Sequence, residues 1–285
     1  MIIWIGSYPK SGNTYIRSFL SAYYFSKDGK FNFDLLKNIK QFPNAEFFDK
    51  PIKNETDASD NWLIAQKKIR EERKFKFLKT HNFLGSYNNK PFTTLDYTIG
   101  AIYVVRDPRN VITSLMNHFS LSLDEAYNFM VNEKKYTKSD QSDYSTYTHL
   151  SSWGNHYKSW ATTKNFRKLI VRYEDFENNK YETFRDIIVF LNAISNRTER
   201  VNKKKLENSI DTTNFSVLKN LEENKGFDEE RTKFYAAELM LAIAHLHEHG
   251  INQEFSSNVF QEVVPLTQDF ALVGEDQIAS ELLSI

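Results

Sequence analysis

The chain has 285 residues, 40% apolar and 26% charged, a balance that fits a soluble globular protein and excludes intrinsic disorder. Its 37 basic and 37 acidic side chains leave no net charge, which argues against a nucleic-acid partner held by a global basic field, and with no cysteine it has no disulfide, thiolate metal site or cysteine nucleophile. No run of about 18 apolar residues predicts a membrane span, the N-terminus does not read as a signal peptide, and a cytoplasmic location is the expectation.

Ile2–Ile5 is too short for a helix and reads as a buried strand, followed by a loop through Gly12. Tyr15, Ile16, Phe19, Leu20, Tyr23 and Tyr24 then recur at helical spacing. Residues 31–54 are broken by Pro43 and Pro51, and Asp60 is expected to cap a helix reaching Arg70. Phe75–Thr80 alternates as a strand that ends at His81, and residues 84–96 carry loop signals. Ile99–Val105 is the strongest strand, and Pro108 suits the first turn of the helix after it. Ser122–Tyr136 reads as a further helix, Thr137–Tyr147 as a polar surface loop and Thr148–Thr162 as a helix. Lys168–Tyr173 reads as a strand and Glu177–Ala193 as a helix. The basic run Asn202 to Lys205 reads as a solvated face, and Asp228 to His249 as a last helix. Alternating strands and helices predict one α/β domain over residues 1–285, with a P-loop-like central parallel β-sheet flanked by helices on both faces.

The first loop carries the chemistry. A strand, a glycine-containing turn and a helix start present unpaired N–H groups and a helix dipole to an anion, with Lys10 and Thr14 adding a charge and a hydroxyl. The nucleotide-triphosphatase pattern G-x-x-x-x-G-K-[ST] is not met, because five residues separate Gly6 from Gly12 and Lys10 precedes the second glycine. The anion-binding physics survives without that identity.

Tyr8-Pro9-Lys10-Ser11-Gly12-Asn13-Thr14-Tyr15 resembles the 5′-phosphosulfate loop of the sulfotransferases that use 3′-phosphoadenylyl sulfate (PAPS) and release the bisphosphate PAP. Further segments follow in the family's order: Lys79-Thr80-His81, then Tyr103 to Leu115 with Arg106 and Ser114, then Trp153, His156 and Trp160, then Tyr173-Glu174-Asp175, then Thr212 to Phe215. The resemblance spans about Ile2 to Leu221 and implies residue roles. Ser11, Gly12, Asn13 and Thr14 would cradle the 5′-phosphate, and Lys10 would meet the leaving oxygen. Lys79 would assist the sulfuryl oxygens, and His81 would act as general base. Arg106 and Ser114 would hold the 3′-phosphate, and Tyr15, Tyr173, Thr213 and Phe215 the adenine. The implied acceptor is a small molecule and no metal is required. Trp153, His156 and Trp160 share one helical face and read as core, with no catalytic role for His156.

The first loop departs mildly, with Asn13 where the family commonly has Thr and Tyr15 where it has Trp, and a larger departure lies further on. The family's C-terminal Arg-Lys-Gly run is represented only by Asn224-Lys225-Gly226. Three rival readings remain at this level: a P-loop small-molecule kinase using ATP–Mg²⁺, a catalytically inactive nucleotide-binding scaffold, and a metal site at His245, His247 and His249. The last lacks the H-E-x-x-H order, and those residues also suit a helix C-terminus before Gly250.

Overall fold

A computed structural model describes residues 1–72, 74–141, 144–214 and 217–218. The helix expected at Asp228 to His249, the histidine cluster, Asn224-Lys225-Gly226 and Phe215 all lie outside these residues. Chain contacts group Met1–Leu221 into one compact unit.

Five parallel strands form the central sheet: β1 (Ile2–Ser7), β2 (Lys40–Gln41), β3 (Lys76–Thr80), β6 (Thr98–Val105) and β9 (Arg167–Arg172), in the order β2-β3-β1-β6-β9. Every residue of β1 is buried, as its apolar run predicted for a strand covered on both faces. Alternation divides the strand: Ile3 and Ile5 face one core, Ile2 and Trp4 the other.

The first core is closed by α1 (Asn13–Phe25), α7 (Lys180–Ile194) and α8 (Lys203–Thr212), through Phe19, Phe184, Ile188 and Leu206. The opposite core is closed by α2 (Glu55–Glu71) and α5 (Trp153–Thr162), through Trp62, Ile69 and Trp160. A third cluster joins Tyr8 to α3 (Pro108–Phe119) and α4 (Leu123–Val131) through Val111, Leu115 and Phe129. Helices therefore cover both faces of the sheet, the architecture expected from the alternation of elements.

Several local expectations are corrected. The helix read from Asp60 begins at Glu55. Asn54 caps it by accepting from the Asp57 N–H at 2.9 Å, and Glu55 and Asp57 in the first turn favour the dipole. Thr137–Tyr147 is a hairpin, not a loop: β7 (Tyr136–Gln141) pairs antiparallel with β8 (Tyr144–His149). Its Tyr and Thr residues favour strands although they are polar. The helix read from Thr148 starts only at Trp153, behind the Ser152 cap. The basic run is solvated as expected, with Lys203 and Lys204 exposed, and it forms the start of α8 behind the Asn202 cap, with Leu206 and Ile210 turned into the core. A short hairpin, β4 (Ser86–Tyr87) with β5 (Lys90–Pro91), interrupts the loop over residues 84–96, and α6 (Asp175–Asn178) precedes α7.

Candidate active site

Parallel strands end together, and three candidate positions lie one residue past a strand end: His81 after β3, Arg106 after β6 and Tyr173 after β9, beside the loop that follows β1. The chain runs from β1 to β2 and β3 on one side and from β6 to β9 on the other, so the crevice of the open α/β sheet lies between the ends of β1 and β6.

The loop after β1 is shaped by two left-handed residues, Lys10 at φ 63° and Gly12 at φ 85°. A lysine there costs on the order of 1–2 kcal/mol, a strain that the surrounding contacts hold in place. Gly12 is required twice over, because an added Cβ would stand 2.4 Å from Cδ2 of the Tyr173 ring. The Arg106 guanidinium lies over that same ring at 4.5 Å and donates through Nη1 to the Lys10 carbonyl at 3.0 Å. The ends of β6 and β9 are thereby fastened to the phosphate-type loop. Among the described residues, Ser11 Oγ and Arg106 Nε are buried there without a hydrogen-bond partner, as donors awaiting an anion would be.

Asn13, Tyr15 and Thr213 have other contacts. The Asn13 amide donates to the Ile5 carbonyl and to Ser7 Oγ, tying the helix start back to β1 and leaving its backbone N–H for a ligand. Tyr15 is buried edge-on to Phe176 and Phe184, so its ring packs in the core. The Thr213 hydroxyl donates to the Ser209 carbonyl at 2.6 Å, inside the last turn of α8. Thr14 is exposed at the helix start, and Ser114 is buried on α3 beside Leu115.

His81 is half-buried, and its Nδ1 lies 2.7 Å from the Ser7 carbonyl. A carbonyl only accepts, so the proton sits on Nδ1 and Nε2 keeps its lone pair. Burial, then the charge of Lys79, holds the imidazole well below its usual range, so it is neutral at pH 7. Its main chain is held as well. His156 Nε2 donates to the His81 carbonyl at 3.0 Å, which leaves His156 Nδ1 to accept from the Tyr103 hydroxyl at 2.8 Å. Trp160 Nε1 donates to the Asn82 carbonyl, and the Asn82 side chain accepts from the His149 N–H. Ser7, Tyr103 and His156 were not singled out for this role, because a contact to a backbone carbonyl 75 residues away leaves no mark on sequence spacing.

Burial also depresses His156, to about 4. The unfolded ring takes up a proton near pH 6.5 and the folded ring only near 4, so stability is full above 6.5 and declines as pH falls between these values. The contribution is roughly 3 kcal/mol. Urea unfolding at pH 7 and pH 4.5 checks this: the wild type is expected to lose more stability than His156→Gln over that interval.

Lys79 donates through Nζ to Gln41 Oε1 at 2.9 Å, and burial, then the nearby Arg17 charge, lowers it to about 8. Arg17 donates through Nη2 to the Leu36 carbonyl at 2.8 Å. It escaped notice because one charge on an amphipathic helix ordinarily reads as solvated. Among the described residues no three His, Cys, Asp or Glu side chains are placed to hold a metal, and no helix is long and apolar enough to cross a membrane.

A parallel sheet with a tight turn after its central strand, and cationic and aromatic residues at neighbouring strand ends, is an α/β architecture with a P-loop-like first turn. Residues 2–240 match the sulfotransferase domain family, and the chain belongs to that family of enzymes. The fold is shared with the crystal structure of retinol dehydratase in a complex with retinol and PAP, at 17% sequence identity and a TM-score of 0.50, over 84% of this chain and 81% of that one. No curated protein matches the sequence.

Proposed function

We propose that the chain transfers a sulfuryl group from PAPS to a hydroxyl or amine of a small-molecule acceptor, with His81 as general base. The observation that carries this reading is the contact set Lys10–Arg106–Tyr173–Gly12, which joins the loop after β1 to the ends of β6 and β9. The orphaned Ser11 Oγ and Arg106 Nε fit a bisphosphate nucleotide in that position.

When bound, PAPS supplies the sulfuryl group and a phosphate leaving oxygen. The backbone N–H groups of Gly12, Asn13 and Thr14 hold the 5′-phosphate at the positive end of α1. The Lys10 ammonium would neutralise charge at the leaving oxygen, and Lys79 would steady the sulfuryl oxygens, the charge stabilisation that this kind of group transfer needs. Arg106 and Ser114 fix the 3′-phosphate, with the guanidinium fork matching its oxygens, and Tyr173 lies against the base. His81 accepts the acceptor's proton at Nε2, because Ser7 has already assigned the other nitrogen.

Thermal unfolding tests the nucleotide part. PAP at about one hundred times its Kd, in the presence of EDTA, is expected to raise Tm by about 5 °C or more. A shift produced instead by ATP–Mg²⁺ and not by PAP would move the chain to the kinase reading.

A further inference from the structure

Positive charge also gathers on the side of β1 away from these donor residues. The strand order puts β6 and β9, with Arg106 and Tyr173 at their ends, on one side of β1, and β3 and β2 on the other. Lys79 is in register with Ile5 and Gln41, so it shares the sheet face that α1 covers. Arg17 stands one turn into α1, and helical side chains lean toward the N-terminus, here the phosphate-type loop.

Both cations are tied to one short segment: Arg17 to the Leu36 carbonyl and Lys79 to the Gln41 amide oxygen. Both partners are neutral. Among the described residues neither cation has a carboxylate within ion-pair distance. Among the described residues the buried Arg17 Nε–H has no acceptor. Two neighbouring, partly buried like charges with an idle N–H are costly unless a ligand's negative charge completes them.

Resting on the sulfotransfer reading above, we propose that Arg17 and Lys79 form a subsite for an anionic group carried by the acceptor, a carboxylate or a phosphate or sulfate ester, on the β3 side of the sheet edge. The nucleotide's own charges are met across β1, by the α1 N-terminus, Lys10 and Arg106. His81, at the end of β3, stands between the two regions as the base for the hydroxyl or amine. Lys79 is shared with the sulfuryl oxygens, whereas Arg17 serves the acceptor alone, and its fork suits a planar or tetrahedral oxyanion.

Calorimetric titration of inorganic sulfate into the protein saturated with PAP is the test. Wild type is expected to show a second binding event, weakened at least about tenfold in Arg17→Gln, while PAP affinity stays within about threefold. Unchanged sulfate affinity in Arg17→Gln overturns the proposal. Lys79→Gln leaves the Arg17–Leu36 bond in place and decides the matter should Arg17→Gln fail to fold: loss of sulfate binding supports the subsite, retention refutes it. The same titration into the PAPS complex separates the sources. Binding that persists belongs to the acceptor's anion; exclusion by PAPS assigns the site to the transferring sulfuryl group and overturns the acceptor assignment. Failure of PAP to bind the wild type, seen in the first step, defeats the sulfotransfer reading and is distinct from all these outcomes.

Discussion

Replacing His81 with alanine is expected to lower kcat by about 10²–10⁴-fold, with PAP affinity changed by no more than about threefold. The argument runs from geometry to protonation. Ser7 accepts the Nδ1 proton, so the remaining nitrogen is a base by construction, and burial keeps it unprotonated at neutral pH. The residue lies at the end of β3, while the nucleotide contacts proposed above lie at the loop after β1 and the ends of β6 and β9. Removing the ring should therefore slow proton removal and spare nucleotide binding. Single-turnover sulfation together with PAP titration separates the two, and wild-type turnover in His81→Ala would take the base away from this residue.

Lys10→Ala is expected to impair both quantities: kcat by about 10²–10³-fold, as for loss of one donor to developing charge, and PAP affinity by about 10–100-fold. The substitution keeps a Cβ, so the left-handed conformation at φ 63° carries about the same strain before and after. The backbone carbonyl that accepts from Arg106 is also retained. What changes is the ammonium. A variant with lowered kcat and intact PAP affinity would place the charge on the transferring group alone; one with neither effect would remove Lys10 from the site.

Much of this was legible in the residues because the strongest signals coincide with the site. Ile2–Ile5 and Ile99–Val105 are continuous apolar runs too short for a helix, as strands buried on both faces are, and the residues after such strands in a parallel sheet fall on the ligand-binding edge. The departures are equally physical. Tyr15 is three and four residues before Ser18 and Phe19 on one helical face, and that phase turns its ring toward Phe184 whatever role the motif suggests. The hairpin β7–β8 was hidden because both strands are rich in Thr, Ser and Tyr, so no apolar alternation marks them. His156 looked like core and is core, fully buried; its second task, holding the His81 carbonyl, needs the fold to bring α5 under the end of β3.

The central claim is that one nucleotide is gripped at both of its phosphates, by the loop after β1 and by the Arg106 region. Calorimetric affinities of PAP and 5′-AMP test it most directly. The account predicts that PAP binds at least about 100-fold tighter, a charge-assisted, forked contact being worth about 3 kcal/mol, and that Arg106→Ala removes most of that difference. Equal affinity of the wild type for the two nucleotides would contradict it.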